Sequence, residues 1–278
     1  MNGTGVRVSV VIPVFNAGPL LEQALRSVET QTYRDHEVVL VDDGSTDHAT
    51  LALLEAAAGR PGMRLCRTPN GGPAAARNLG IEHARGAYIV PLDADDYLAP
   101  AFLAKTVAVL DSRPEVGVAY TWVELVGDRS GIWETHGLVL PELLTTNTLH
   151  VTALYRRQLW VDVGGYDSRF ADTAEDWDFW LGAAERGWTG HCVPEALACY
   201  RRTVQGREFR SRVPGASARF MRLLVQKHRA LYETHLEEAI ASMYERVATS
   251  GASLERIYDH PAVRTLAWLR GLTGPRRT

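Results

Sequence analysis

Hydrophobic and polar positions in the first 110 residues switch repeatedly between two periods. Residues 8–14 are a β-branched run, and residues 19–30 then place Leu20, Leu21, Ala24, Leu25 and Val28 at helical spacing. Residues 38–41 are a second apolar run, closed by Asp42-Asp43-Gly44-Ser45. Residues 51–58 read as a helix with Ser45, Thr46 or Asp47 as N-cap. A short strand at 63–66, the turn Asn70-Gly71-Gly72-Pro73, a helix over 74–84 and a strand over 87–92 follow, with another helix starting near Pro100. This βαβαβαβ order predicts a parallel sheet with helices on both faces. Ligands of such sheets bind outside the carboxyl ends of the strands. Residues 13–18, 42–47 and 93–96 then face one crevice.

Beyond residue 115 the pattern is mixed. Residues 116–126 alternate as a strand, and Asp128-Arg129-Ser130-Gly131 reads as a hairpin turn into 132–136. Residues 149–155 read as a further strand. Gly164-Gly165 breaks the chain before a helix over 174–186. Three amphipathic helices are expected near 216–232, 236–249 and 254–271. Residues 203–215, charged and glycine-containing, are the candidate boundary. The expected division is 1–205, in two halves meeting near residue 110, and a helical extension at 206–278.

Composition narrows the class. The chain has 278 residues, with 46% hydrophobic and 23% charged positions, ordinary for a globular protein. No run approaches the ~18 apolar residues of a spanning helix, and residues 1–7 lack an apolar signal core. The expected compartment is the cytoplasm. Cys66, Cys192 and Cys199 form neither a disulfide framework nor a CxxC knuckle, so they read as thiols in or near strands. His83 and His150 lack a paired ligand motif, His150 being an acceptor-side candidate. A net charge of −3 argues against nucleic acid as a partner. Residues 1–200 carry 15 Lys+Arg against 26 Asp+Glu, and residues 201–278 carry 15 against 7. The favoured reading is basic helices with a solvated face packed on an acidic body. Completion of the acceptor site, a homodimer and peripheral contact with an anionic membrane are the alternatives.

The candidate chemistry centres on Leu92-Asp93-Ala94-Asp95-Asp96, directly after an apolar strand. Residues i and i+2 of a strand share a side, so Asp93 and Asp95 converge if the extended geometry persists. Converging carboxylates repel unless a cation lies between them. All-oxygen ligands suit Mg2+ or Mn2+ with phosphate oxygens completing the shell. A solvated acidic turn is the plainer alternative. The backbone of residues 13–16 ends the first strand where a nucleobase or ribose would lie. Asp42 or Asp43 can accept hydrogen bonds from ribose hydroxyls or a base N–H. Arg77, early in a helix after a Gly-Gly-Pro turn, suits a diphosphate or a base carbonyl, or is a surface arginine. Glu175-Asp176 opens a helix with Trp177, Leu181 and Ala184 as its core stripe. Carboxylates there are favoured by the helix dipole alone, and Trp177 and Trp180 are placed to desolvate Asp176.

Five motifs occur in order: Val10-Val11-Ile12-Pro13-Val14-Phe15-Asn16, Val41-Asp42-Asp43-Gly44-Ser45-Thr46-Asp47, Ala76-Arg77-Asn78-Leu79-Gly80, Leu92-Asp93-Ala94-Asp95-Asp96 and Ala174-Glu175-Asp176-Trp177-Asp178. Over about residues 6–202 the chain resembles a family 2 glycosyltransferase, an inverting enzyme of the GT-A fold that uses sugar nucleotides. The resemblance implies an α/β fold with a mostly parallel central sheet flanked by helices, ending in a helical C-terminal appendage. It implies a divalent-metal-dependent transfer from a nucleotide-diphospho-sugar, UDP-sugar favoured, to an acceptor hydroxyl, with Mn2+ or Mg2+ as cofactor. The implied donor-binding set is Pro13, Phe15, Asn16, Asp42, Asp43, Arg77, Asp93, Ala94 and Asp95. Within it Asp43 contacts a uracil-type base, Asp95 ligates the metal directly and Asp93 binds ribose or the metal. Asp96 supports that pair, and Asn78 is a structural partner of Arg77. Asp176 is the implied general base, with Glu175 positioning the acceptor. One departure stands out. Family members often place a histidine shortly after the Tyr-Arg that follows the last core strand, where this chain has Tyr200-Arg201-Arg202-Thr203-Val204. Arg201 or Arg202 is the expected substitute at the diphosphate, the alternative being a metal held loosely and only with the diphosphate present. A non-catalytic sugar-nucleotide-binding or interaction protein on the same scaffold is the alternative function. The acceptor, whether saccharide, lipid-linked, peptide or natural product, is not legible.

Overall fold

The computed structural model describes residues 5–170, 174–202 and 216–259. Its first part runs β1 (Val8–Val14), α1 (Leu20–Glu29), β2 (His36–Asp43), α2 (His48–Ala58), β3 (Met63–Thr68), α3 (Gly72–His83) and β4 (Tyr88–Pro91). β1 lies between β2 and β4, parallel to both, and β3 pairs parallel with β2. Alternation along β1 explains the layers. Val8, Val10, Ile12 and Val14 join Leu21, Leu25 and Val28 of α1 in one core. Val11 points the other way, toward Ala74, Ala76 and Ile81 of α3. A strand covered on both faces is apolar almost throughout.

The second part contains β5 (Tyr97–Leu98), α4 (Phe102–Ser112), β6 (Val116–Gly127), β7 (Gly131–Trp133), α5 (Leu140–Leu143), β8 (Leu154–Arg156), α6 (Arg157–Val163), α7 (Glu175–Glu185) and β9 (Thr189–Arg202). Among the described residues one sheet runs β3-β2-β1-β4-β8-β6-β9-β5, with β7 paired to β6. β8 is antiparallel to both β4 and β6, β9 is parallel to β6, and β5 is antiparallel to β9. Parallel ladders make up most of the sheet by length, and the antiparallel pairs lie in its second half.

The strand expected over 149–155 is only Leu154–Arg156. The residues before it leave the ladder because their side chains serve the crevice, as described below. The expected helices 236–249 and 254–271 are not separate in the described part. After α8 (Ala216–Lys227) and α9 (Arg229–Thr234), α10 runs unbroken over Leu236–Asp259. The glycine at 251 therefore does not end the helix. Residues 203–215, the candidate boundary, lie outside the described residues, as do 260–271.

The basic C-terminal helices dock on the acidic body. Phe220, Leu224, Tyr232 and Ala239 enter the same apolar cluster as Phe179 and Trp180 of α7. Lys227 Nζ donates to Asp178 Oδ2 at 2.7 Å and to Asp167 Oδ2 at 3.0 Å. His228 bridges Asp178 Oδ1 and Glu185 Oε2, each at 3.0 Å. Asp178 is fully buried, so these partners supply what water no longer can. Leu236, Ile240, Met243, Tyr244 and Val247 of α10 remain exposed. No helix among the described residues is long and apolar enough to cross a membrane.

Candidate active site

Parallel pairing brings the carboxyl ends of β1, β2 and β4 to one edge, and three loops meet there. Asn16, at a φ of 49°, holds the first loop to the second. Its Oδ1 accepts from the backbone N–H groups of Thr46 and Asp47 at 2.8 and 2.9 Å. Asp47 caps α2 by accepting from Thr50 N at 2.9 Å. Pro13 is partly buried at the end of β1, while Phe15 is 52% exposed beside it.

Asp42 and Asp43 are both buried, and their carboxylates organise backbone. Asp42 Oδ1 accepts from Ser45 N at 2.9 Å, with Arg67 Nε 3.6 Å from its Oδ2. Asp43 accepts from Gly71 N at 2.8 Å and Gly72 N at 2.9 Å. It therefore sits as an anion at the N-terminus of α3, where the helix dipole favours it. Burial raises its proton affinity and these two N–H groups oppose the rise. The turn needs Gly44, which has a φ of +77° and would bring a Cβ within 2.9 Å of Asn70 N.

Arg77 lies deeper than a ligand-facing arginine. It is 1% exposed, with Nη2 on Asp93 Oδ1 at 2.6 Å and Nη1 on Glu175 Oε1. Its guanidinium thus ties the acidic turn after β4 to the start of α7. The ring of Tyr166 lies 5.6 Å from its Cζ. Next to it Asn78 donates to Tyr166 O at 2.8 Å and accepts from Trp160 Nε1 at 3.0 Å and Tyr166 N at 2.8 Å. That partnership fixes where α3 meets the Gly164-Gly165 turn.

Asp93, Asp95 and Asp96 each offer an oxygen within 4.8 Å of the others. Asp95 is exposed, Asp93 partly buried and Asp96 fully buried, and Ala94 between them is 7% exposed. Asp96 Oδ1 accepts from Arg201 N at 2.7 Å, while its Oδ2 is buried with no hydrogen-bond partner among the described residues. Burial first, then Asp95 and Asp93, hold its proton affinity well above the ordinary carboxylate range. Three crowded carboxylates and an unsatisfied oxygen fit a hard divalent cation, which relieves their repulsion with all-oxygen ligands.

Two expectations around this cluster change in detail. The Arg201 guanidinium is engaged with Asp95 O at 3.0 Å and Gln23 Oε1 at 2.8 Å, so it braces the turn. Secondly, a histidine does stand beside Tyr200, supplied by another element. His150 packs 4.8 Å from the Tyr200 ring, with Nε2 3.8 Å from Asp96 Oδ2. Its Nδ1 accepts from Thr152 N at 3.3 Å, which puts the ring proton on Nε2. Burial pushes its pKa down to about 4, against the pull of Asp93 and with the help of Arg77, so it is neutral near pH 7.

Asp176 follows Glu175 in the first turn of α7. Part of its surface is open to solvent, yet its surroundings are protein. Burial, then Glu175, push its pKa up to about 6, opposed by Arg77, Asn147 and Trp177 N. Asn147 Nδ2 donates to Asp176 Oδ2 at 2.9 Å, and Trp177 N donates to Oδ1 at 2.9 Å. A carboxylate with raised proton affinity and access to the crevice suits proton abstraction. Asn147 carries no sequence signal beyond lying in a polar stretch between strands, and His150, an acceptor-side candidate, carries none for its contact with Asp96.

The family model for glycosyl transferase family 2 matches residues 9–167. EpsE of Bacillus subtilis is 32% identical over 203 residues, covering 70% of this chain and 72% of that protein. The chondroitin synthase of Pasteurella multocida is 29% identical over 204 residues, 72% of this chain but 21% of that protein. The chain thus spans about a fifth of the length of that curated relative and of the hyaluronan synthase from the same organism, of which it covers 20%. Among solved structures, S. aureus TarS 1-349 in complex with UDP-GlcNAc shares the fold at a TM-score of 0.72 and 23% identity, covering 89% of this chain and 75% of that one. A mannosyltransferase of Pyrobaculum calidifontis in complex with GDP-Man and Mn2+ aligns at 0.57 and 20% identity, over 96% of this chain and 84% of that one. The sheet, its crevice and the match over residues 9–167 lead to one conclusion: the chain belongs to glycosyl transferase family 2 and has a GT-A-like fold.

Proposed function

We propose that the chain is an inverting, divalent-metal-dependent glycosyltransferase that moves a sugar from a nucleotide-diphospho-sugar, UDP-sugar favoured, to an acceptor hydroxyl. The observation that carries this reading is the continuous line Asp93–Arg77–Glu175–Asp176. It couples the acidic cluster to a carboxylate whose pKa is pushed up to about 6. Asp43 is the proposed partner of a uracil N–H, and residues 13–16 flank the base and ribose. Asp93 and Asp95 would hold Mn2+ or Mg2+, which supplies charge neutralisation for the leaving diphosphate.

Asp176 takes the proton of the acceptor hydroxyl. The acceptor oxygen forms its bond to the anomeric carbon on the face opposite the diphosphate, and the bond from that carbon to the phosphate oxygen breaks, its electron pair leaving with the nucleoside diphosphate. Arg77 and Glu175 fix where Asp176 stands relative to the acidic turn. Glu175 is buried and paired, which suits orientation of the base and of the acceptor through it.

A thermal-shift panel of sugar nucleotides with Mn2+ identifies the donor, because a selective ligand raises stability by mass action. With that donor, Asp176→Asn is expected to release nucleoside diphosphate about 10²–10⁴-fold more slowly, the worth of general-base catalysis. Near-wild-type turnover by a folded variant rules Asp176 out as base. Asp95→Ala is expected to weaken Mn2+-dependent nucleotide binding by calorimetry at least about tenfold, the loss of one charged ligand oxygen. Unchanged affinity removes Asp95 from the metal site.

A further inference from the structure

Asp176 does not stand alone on its helix. Its Oδ2 accepts from Asn147 Nδ2 at 2.9 Å. Asn147 Oδ1 in turn accepts from Leu149 N at 3.3 Å, so the backbone settles which end of the amide faces the carboxylate. The residues just before Asn147 are held with unusual completeness. Leu143 O accepts from Trp177 Nε1 at 2.6 Å, Leu144 O from Tyr232 Oη at 2.7 Å and Thr145 O from Arg246 Nη2 at 2.7 Å. Thr145 Oγ1 also meets Ser242 Oγ at 3.3 Å. Three successive carbonyls are therefore capped by side chains, two of them from α9 and α10. Carbonyls at and beyond a helix end need such partners, and for Leu144 and Thr145 they come from the C-terminal helices.

We propose that Asn147 is a positioning residue for Asp176, holding its carboxylate in one orientation and favouring its charged form, and that α9 and α10 act on the site by clamping the segment that carries it. The proposal rests on the reading of Asp176 as base. Among the described residues, the other charged or titratable groups that face Asp176 are Glu175 on its own helix, Arg77 from α3 and Tyr166 from the turn after α6. Glu175 raises its proton affinity and Arg77 lowers it. Asn147 is the neutral member of the set. Its N–H stabilises the carboxylate and has nothing to offer the protonated oxygen at that position.

The test is a titration of Asp176 in the full chain, labelled with 13C at aspartate carboxyl carbons. The Asp176 signal is the one that Asp176→Asn removes. In the wild type its midpoint is expected near about 6. Asn147→Ala is expected to move it up by about one pH unit, the worth of a hydrogen bond to a charged group. Asn147→Asp, close in size and so kind to the fold, replaces a donor with a second carboxyl group and is expected to move it further. Tyr232→Phe and Arg246→Ala are expected to move it in the same direction by less. The acid limb of nucleoside diphosphate release should follow these midpoints, with donor KM unchanged. A midpoint that stays put in Asn147→Ala and Asn147→Asp, while Asp176→Asn is inactive, overturns the positioning role alone. Near-wild-type turnover by Asp176→Asn overturns the base reading and the positioning role with it.

Discussion

At the scale of single residues, Asp43, Asp96 and Asp176 are carboxylates held where burial disfavours their charge. Asp176 has a consequence for stability that is separate from catalysis. Its proton affinity in the folded chain exceeds the ordinary aspartate value, about 6 against 3.8. Between those values the folded chain keeps a proton that the unfolded chain releases. The stability this contributes is present below the lower value and is lost as pH rises through the upper one. Asp176→Asn is therefore expected to be more stable than the wild type at pH 8 by about 1–3 kcal/mol. The difference should shrink toward pH 4. Urea unfolding at the two pH values checks it, and equal stability at pH 8 would mean that the carboxylate is not strained. Arg77 shows the limit of residue-level reading. Its motif and its place near a helix N-terminus pointed to the diphosphate or a base carbonyl of a nucleotide. The folded chain spends its terminal nitrogens on Asp93 and Glu175, and the partner at position 175 is 98 residues away in sequence.

At the scale of elements, the βαβ pattern was legible because β1, β2 and β4 are short apolar runs and α1 carries a clear amphipathic stripe. β1 runs over Val8–Val14 as expected, and α1 departs from 19–30 by one residue at each end. The irregular stretch before β8 was not legible. Residues 149–153 have strand-like composition, but Asn147 and His150 are drawn to Asp176 and Asp96. Hydrophobic alternation reports where side chains prefer to sit, not which of them will be pulled out of the ladder by a distant carboxylate. The junction of α3 with α6 is a sharper test of tertiary control. Gly165 has a φ of +83°, and a Cβ there would lie 2.8 Å from Asn78 Oδ1. Gly165→Ala is expected to cost about 1–3 kcal/mol, through left-handed backbone strain and loss of room for Asn78. An unchanged denaturation midpoint would show that the Asn78 link does not hold this junction.

At the scale of the molecule, the asymmetry between an acidic body and basic C-terminal helices becomes a docking contact. Asp178 is fully buried and held by Lys227 and His228 from the segment joining α8 to α9. Plain helix packing with a solvated face was the favoured sequence reading of that asymmetry, and pairing with the acidic body was an addition to it without named partners. Lys227→Met is expected to lower the unfolding free energy by about 1–3 kcal/mol, because His228 alone must then satisfy a buried carboxylate. Chemical denaturation measures it, and no loss would mean that the contact is electrostatically neutral. The same helices bind the carbonyls of Leu144 and Thr145, just before Asn147, whose amide donates to Asp176.

By itself the sequence determined the sheet-and-helix order from β1 to β4, the edge at which the crevice opens and the acidic turn after β4. Those features are written in local periodicity and in short runs of polar residues, which act over a few positions at a time. Only the tertiary structure decided that Arg77 is a buried clamp, that Asn147 touches Asp176 and that a histidine meets Asp96 from the far side of the site. Each of those depends on desolvation and on hydrogen bonds between residues remote in sequence. Burial turns such contacts from optional to obligatory, since a charge removed from water must find its partner wherever the fold supplies one.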